Sequence, residues 1–279
     1  MPLICIASPK GGVGKTTVSA NLADALRRAG RRVVALDLDP QNGLRLHFGL
    51  HPADLEGFTN VLPRRPDWRE ALRDTRSGVR LLPHGAAQMR AALDLWVALE
   101  QEPDLLAAPL RAMLGDDPEL VVVADTPPGP SPALAVLLSM ADLTVAVLLA
   151  DGASAAVLPD VESGRYFGQG ALAAVVARRT HLVLNGDDPG SSLSMAVAES
   201  AMRGMGERLL GALPRDSAIA EALARQMTLL EAAPNSRAAA DLRDIAQAVD
   251  AKLRRIQAAV IAPTAGEPSG VAFARWAAR

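Results

Sequence analysis

The stretch from Leu3 to Thr17, LICIASPKGGVGKTT, decides the fold of this chain. Its first five residues form an apolar run without polar alternation, which is typical of a strand covered by helices on both faces of a sheet. A glycine-rich segment follows, and a helical pattern begins at Thr16. A strand, such a loop and a helix in this order indicate a phosphate-binding loop, because backbone N–H groups and a helix N-terminus attract anions there.

The loop departs from the common pattern G-x-x-x-x-G-K-[ST] at one position. That pattern has glycine at position 9, where this chain has Pro9, and an additional lysine, Lys10, stands at the front of the loop. The spacing predicts that Lys15 reaches the β and γ oxygens of a nucleotide and that Thr16 places its hydroxyl on Mg²⁺. The backbone expected to wrap the phosphates belongs to Gly11, Gly12, Val13 and Gly14.

Beyond the loop, short apolar runs alternate with helical patterns, which predicts βαβ units and an α/β fold. We expect a doubly wound, mostly parallel sheet with helices on both faces. The predicted strands are Leu3–Ala7, Arg32–Asp37, Val79–Leu82, Leu120–Asp125, Leu143–Leu149, His181–Asn185 and Arg208–Leu213. The predicted helices are Thr16–Ala29, Trp68–Asp74, Ala87–Glu100, Asp104–Leu114, Pro132–Met140, Ser154–Ser163, Leu193–Arg203, Ser217–Arg225 and Ser236–Ala258.

Acidic residues follow two of the predicted strands. Asp37 and Asp39 are two residues apart in Asp37-Leu38-Asp39-Pro40-Gln41, so their side chains point to one side of an extended chain. Asp125 ends another apolar run and is followed by Thr126-Pro127-Pro128-Gly129, as in a Walker B strand. Strand ends in this fold open onto the ligand crevice. We therefore expect Asp37 and Asp125 to support Mg²⁺ and Asp39 to orient water.

Composition limits the classes of function. The chain has 279 residues, 49% of them hydrophobic, and a formal charge of −2, so no overall basic charge draws it to nucleic acid or anionic lipid. Its single cysteine excludes a disulfide framework and a cysteine-rich metal site within one chain. We expect a cytoplasmic protein without a membrane span, with residues 1–260 as one domain and residues 261–279 as a flexible tail.

The motifs KGGVGKTT, DLDPQ and DTPPG together resemble the deviant-Walker ATPases of the ParA/MinD family. That resemblance implies a P-loop fold and a switch in which two monomers face each other across Mg-ATP and separate on hydrolysis. It implies that Lys10 reaches across to the partner's phosphates, Thr17 contacts the α-phosphate and Asp39 positions or activates the attacking water. It also implies that Asn185 and the segment Pro214, Arg215 and Asp216 frame the adenine.

A narrower resemblance lies outside these motifs, in Asn42–Phe48, Pro66–Arg69, Leu81–Gly85 and Leu182–Pro189. These segments resemble the BcsQ-type accessory ATPases of bacterial cellulose-secretion systems. The resemblance implies a homodimer on Mg-ATP that assists or localises a membrane-bound cellulose synthase complex or its accessory subunits, with recruitment to the inner membrane through partners. Some relatives of that type have lost lysines from the loop, whereas this chain keeps Lys10 and Lys15, so we expect hydrolysis of ATP, slow without a partner.

Two alternatives stay open at this point. A DNA-partition ATPase would use the same switch on nucleoid DNA, although the paired arginines Arg64-Arg65 and Arg178-Arg179 are isolated and non-specific DNA is the weaker expectation. A small-molecule biosynthetic enzyme on the same fold would hydrolyse ATP only in proportion to its substrate, and Lys10 would then have no partner across a dimer.

Overall fold

The structure is a computed structural model that describes residues 2–51, 53–62, 67–86, 88–115, 117 and 119–261. These residues form one sheet of eight strands: β1 (Leu3–Ala7), β2 (Arg32–Asp37), β3 (Arg73–Asp74), β4 (Arg80–Leu82), β5 (Leu120–Asp125), β6 (Leu143–Leu149), β7 (Thr180–Asp187) and β8 (Leu209–Pro214). The predicted tail lies outside the described residues from position 262 onward.

Helices follow the strands along the chain. In chain order they are α1 (Lys15–Arg28), α2 (Leu44–His47), α3 (Phe58–Val61), α4 (Met89–Gln101), α5 (Asp104–Gly115), α6 (Pro132–Met140), α7 (Gly152–Glu162), α8 (Gly170–Arg179), α9 (Ser192–Met205), α10 (Ser217–Ala224), α11 (Leu229–Ala232) and α12 (Arg237–Ile261). Among the described residues, none of these helices is long and apolar enough to cross a membrane.

The strand order is β3-β4-β2-β5-β1-β6-β7-β8, and every neighbouring pair is parallel except β3 with β4. β1 therefore lies between β5 and β6, and the chain continues from it to β2 on one side and later to β6 on the other. A crevice opens at the carboxyl ends of the strands where the winding reverses in this way. The loop after β1 lies at that point.

The sheet is buried on both faces, as its apolar strands predict. Alternate residues of β1 enter two different cores: Leu3 and Cys5 pack with α4, α5, α6, α7 and α9, whereas Ile4 and Ile6 pack with α1, α2, α11 and α12. The predicted fold class, a doubly wound and mostly parallel sheet with helices on both faces, is confirmed.

The region between β2 and β4 differs from the sequence prediction. A helix over Trp68–Asp74 was expected, but only Trp68–Ala71 forms one turn of 3-10 helix, and Arg73–Asp74 pairs antiparallel with β4. Asp67 begins that turn by accepting a hydrogen bond from the Arg69 N–H at 3.0 Å, and Trp68 stacks on Phe58 with ring centroids 5.3 Å apart. The turn ends because Leu72 has an extended backbone, with φ of −65° and ψ of 142°, and leads directly into β3.

Candidate functional site

The loop after β1 runs from Ser8 to Gly14 and leads into the N-terminus of α1. Gly12 and Gly14 have φ of 74° and 84°, a region that favours glycine. A Cβ on Gly14 would run into the carboxamide of Asn185, whereas a Cβ on Gly12 would have no neighbour within 4 Å. Asn185 ties the loop to β7, because its Nδ2 donates to the Val13 carbonyl at 2.8 Å. Gly14 thus lets the backbone approach β7 closely.

Thr16 and Ser19 connect α1 to the end of β5. The Thr16 hydroxyl donates to Asp125 Oδ2 at 2.7 Å, and the Ser19 hydroxyl lies 2.8 Å from Asp125 Oδ1. Asp125 is fully buried, and burial raises its pKa, while Lys15 and the two hydroxyls act in the opposite direction. This carboxylate is held in one orientation beside the hydroxyl predicted to bind Mg²⁺.

Lys15 points into the site rather than to solvent. Its side chain is 7% exposed, and Nζ lies 4.0 Å from Asp39 Oδ2. The other oxygen of Asp39 accepts the Gln41 N–H at 2.9 Å. The structure therefore brings the loop lysine and the carboxylate predicted to orient water to one place.

Asp37 holds the backbone of the loop that carries Asp39. Its two oxygens accept the N–H groups of Asp39 and Leu44, each at 3.0 Å. The residue is fully buried, and burial, with Asp125 nearby, raises its pKa well above the ordinary range. Asp37 was predicted to support Mg²⁺; the geometry places it in the crevice with both oxygens already accepting backbone hydrogen bonds.

Lys10 lies at the rim, on the side of α7. Its Nζ is 3.4 Å from Asp151 Oδ2 and 3.5 Å from Oδ1, and its side chain is 29% exposed. Asp151 also caps α7 by accepting the Ser154 N–H at 2.7 Å. The chain has three lysines in all. One therefore lies inside the loop and another at its mouth, and the third, Lys252, is on α12.

The residues predicted to frame adenine lie at the ends of β7 and β8. A cavity of about 300 Å³ is lined by Asp187, Asp188, Pro189, Pro214, Arg215, Asp216, Ser217 and Arg237. Asp216 caps α10 through the Ala218 N–H at 2.9 Å, and the Arg215 N–H donates to the Asp187 carbonyl at 2.9 Å. Asn185 does not line this cavity. It pairs with Leu213 on β8, whereas Asp187, which does line the cavity, pairs with Pro214.

Sequence reasoning missed two residues of this site. Asp151 follows the end of β6 at a separation of 141 residues from Lys10, and no local pattern relates the two. Ser19 lies three residues after Thr16, on the same face of α1, so the helical period could have indicated that both hydroxyls face Asp125.

The residues present fit Mg-ATP. Within the described part of the chain, the amide N–H groups of Lys15, Thr16 and Thr17 have no backbone acceptor, as expected for the first turn of a helix, where such groups bind phosphate. Lys15 supplies a buried positive charge, and Thr16 with Asp125 supplies the oxygen donors that Mg²⁺ prefers.

Comparison with known proteins agrees with this geometry. A family model described as "Cellulose biosynthesis protein BcsQ" matches residues 1–249. The BcsQ protein of Salmonella typhimurium is 28% identical over 248 residues, which cover 88% of this chain and 93% of that protein. The chromosome-partitioning ATPase Soj of Thermus thermophilus is 29% identical over 262 residues, covering 90% of this chain and 96% of Soj.

The solved structures lead to the same group. The septum site-determining protein MinD of Pyrococcus horikoshii, in complex with Mg-ADP, superposes with a TM-score of 0.72 at 25% identity, covering 92% of this chain and 98% of that one. The family match spans the phosphate loop, the Asp37–Asp39 segment, β5 and the ends of β7 and β8. This chain belongs to the BcsQ family of ParA/MinD-type ATPases.

Proposed function

We propose that this chain is an ATP-dependent dimerising switch that assists bacterial cellulose synthesis and secretion. The observation that carries the switch is the placement of Lys10. Its ammonium group lies at the mouth of the site and is held by the half-exposed Asp151, while Lys15 already supplies the positive charge inside the loop. A lysine in this place reaches outward to a nucleotide held by a facing copy once it leaves Asp151.

Each residue then has a definable task. The N–H groups of the loop and of the first turn of α1 bind phosphate oxygens, and Lys15 neutralises their charge. Mg-ATP supplies the γ-phosphoryl group and the metal that spreads its charge. Asp39 accepts a hydrogen bond from the attacking water, and Thr16, oriented by Asp125, donates its oxygen to the metal shell. The cavity at Pro214–Asp216 takes the base.

The cellular role rests on family membership. The matching family is named for cellulose biosynthesis, and the Salmonella typhimurium relative carries the same name. In our proposal the ATP-bound dimer recruits or positions a membrane-bound cellulose synthase complex or its accessory subunits from the cytoplasm. Turnover is slow until a partner completes the site, since a cation supplied in trans raises kcat by a factor of about 10³–10⁵ in related phosphoryl transfers.

Affinity capture of the Asp39→Ala variant tests the role. This variant should hold the ATP dimer, so it is used as bait in native cells with Mg-ATP and, as the matched control, with Mg-ADP. Cellulose synthase subunits enriched only with ATP support the proposal. Chromosomal DNA with a DNA-binding partner protein would instead assign the chain to the partition class, which the similarity to Soj makes the competing function.

The Lys10→Ala variant tests the dimer mechanism directly. Loss of a lysine that acts in trans should lower partner-stimulated hydrolysis by about 10³-fold or more while leaving Mg-ATP binding nearly intact. Lys252→Ala, which removes a lysine from α12, is the control and should hydrolyse ATP like the unaltered chain. Unchanged hydrolysis in Lys10→Ala would refute the facing dimer and favour a biosynthetic enzyme on the same fold.

A further inference from the structure

The carbonyl of Ser8, at the front of the phosphate loop, joins three segments of the chain. It accepts the N–H of Gly129, from the loop after β5, at 3.0 Å, and the hydroxyl of Tyr166 at 3.1 Å. A carbonyl oxygen has two lone pairs, so it accepts both bonds at once. Burial raises the pKa of Tyr166 to about 12, so this hydroxyl keeps its proton and donates at neutral pH.

Packing holds the ring of Tyr166 in place. The residue lies in a turn of 3-10 helix, Arg165–Phe167, between α7 and α8. Gly164 precedes this turn with φ of 76°, and a Cβ there would run into the Ala173 carbonyl, so the turn lies tightly against α8. Phe167 is buried, and its ring meets that of Tyr166 edge-on with centroids 4.9 Å apart. The hydroxyl of Tyr166 is therefore a fixed donor and does not have to be ordered first.

The two ends of the phosphate loop are held by different side chains. Asn185 holds the rear of the loop, and Tyr166 holds the carbonyl of Ser8 at the front. The Ser8 hydroxyl in turn accepts the N–H of Lys10 at 3.2 Å. Pro9, between them, has its φ fixed by the pyrrolidine ring. The placement of Ser8 therefore passes to the backbone of Lys10 with little freedom between them.

We propose that Tyr166 is a positioning residue that holds the front of the phosphate loop so that Lys10 points toward a facing copy. The hydroxyl fixes Ser8, Ser8 fixes the Lys10 backbone, and the Lys10 side chain then only has to leave Asp151 to reach a phosphate. Lys15 lies in the other half of the loop and binds its own nucleotide without this bond. The inference rests on the proposed function, because it requires Lys10 to act in trans.

Tyr166→Phe removes the hydroxyl and keeps the ring. The Ser8 carbonyl retains the Gly129 N–H, so no buried acceptor is left without a partner, and the melting temperature should fall by no more than about 4 °C. The Kd for Mg-ATP in calorimetry and the KM should stay within about twofold of the unaltered chain. At saturating Mg-ATP, kcat should fall about 2-fold to 10-fold, which is the range for one hydrogen bond.

Lysine ammonium NMR shows whether this effect passes through Lys10. The chain has three lysines, so the spectrum has three signals, and Lys10→Ala assigns one of them by its loss. In the presence of a slowly hydrolysed ATP analogue and Mg²⁺, Tyr166→Phe should shift the Lys10 signal. The signals of Lys15 and Lys252 should stay in place. A merely structural tyrosine would not move one lysine signal selectively.

Ser163→Ala is the matched control. Ser163 lies three residues before Tyr166, and its hydroxyl also donates to a backbone carbonyl, that of Pro159, at 2.7 Å. Its side chain is exposed, and this bond stays within the end of α7. Removing this hydroxyl should leave kcat, KM and the Lys10 signal as they are in the unaltered chain.

Two results would overturn the role of Tyr166 and leave the proposed function standing. One is a Tyr166→Phe variant that melts earlier but keeps kcat and the Lys10 signal. The other is a Ser163→Ala variant that changes both as much as Tyr166→Phe does. If Lys10→Ala hydrolyses ATP like the unaltered chain in the same assay, the proposed dimer mechanism itself fails.

Discussion

Replacing Asp151 by asparagine removes the ion pair at the mouth of the site and little else. Asparagine is as good a helix N-cap as aspartate, so the bond from the Ser154 N–H at 2.7 Å can be kept. The contact of Lys10 with the carboxylate, at 3.4 Å, loses its charge. We expect the Asp151→Asn variant to form the Mg-ATP dimer more tightly, because Lys10 no longer has to leave a partner in its own chain.

The expected change in the dimer Kd follows from the solvent exposure of the Lys10 and Asp151 side chains. The two side chains are 29% and 42% exposed, and pairs of this kind contribute about 0.2–1 kcal/mol. A facing dimer would use two such lysines, so the dissociation free energy should rise by about 0.4–2 kcal/mol, which is about 2-fold to 30-fold in dimer Kd. High salt screens the pair in the unaltered chain, so the difference between the two proteins should shrink as salt is added.

Sedimentation equilibrium with a slowly hydrolysed ATP analogue and Mg²⁺ measures this Kd. Asp160→Asn is the control, since it removes another exposed ion pair of α7, with Arg165 at 2.9 Å, without touching Lys10. Dimerisation of Asp151→Asn that is unchanged or weaker than that of Asp160→Asn would refute the view that Asp151 competes for the lysine.

Two further predictions concern the loop and the core. Gly12→Ala introduces only backbone strain and should lower the melting temperature by about 2–8 °C. Gly14→Ala adds a clash with Asn185 and should lower the melting temperature further. Equal losses of melting temperature in the two variants would contradict the close approach of Gly14 to Asn185. Burial lowers the pKa of His47 to about 4 from its usual 6.5, so the free energy of unfolding should fall by up to about 3 kcal/mol as pH drops through that interval. His47→Gln should flatten this slope in urea titrations at several pH values, and a slope that is not reduced would count against the buried neutral imidazole.

The strands and the phosphate loop were predictable because local sequence encodes them. β1, β2, β5 and β6 have the predicted bounds, since each is buried on both faces and its apolar run ends abruptly at a polar residue or turn. α8 was missed, because its sequence, GALAAVVARR, begins with glycine and lacks a capping side chain.

The contacts of the site were harder to predict than its residues. The spacing of the motif identifies Lys10, but the pairing of this lysine with Asp151 depends on β6 ending beside the loop after β1, which only the assembled sheet provides. The unsatisfied carboxamide of Asn42 is likewise a property of packing, because asparagine in a turn is ordinarily solvated or bonded to its own backbone.

The bond from Thr16 to Asp125 has a kinetic consequence. A hydroxyl that donates a hydrogen bond to a buried carboxylate has its lone pairs turned away from that carboxylate and left available to a metal. No side-chain rotation is needed before a metal–nucleotide complex arrives, so association should proceed at the rate of a ready-made site. The rate of switching would then be limited by rearrangement of the loop that carries Asp39 and by association of two chains.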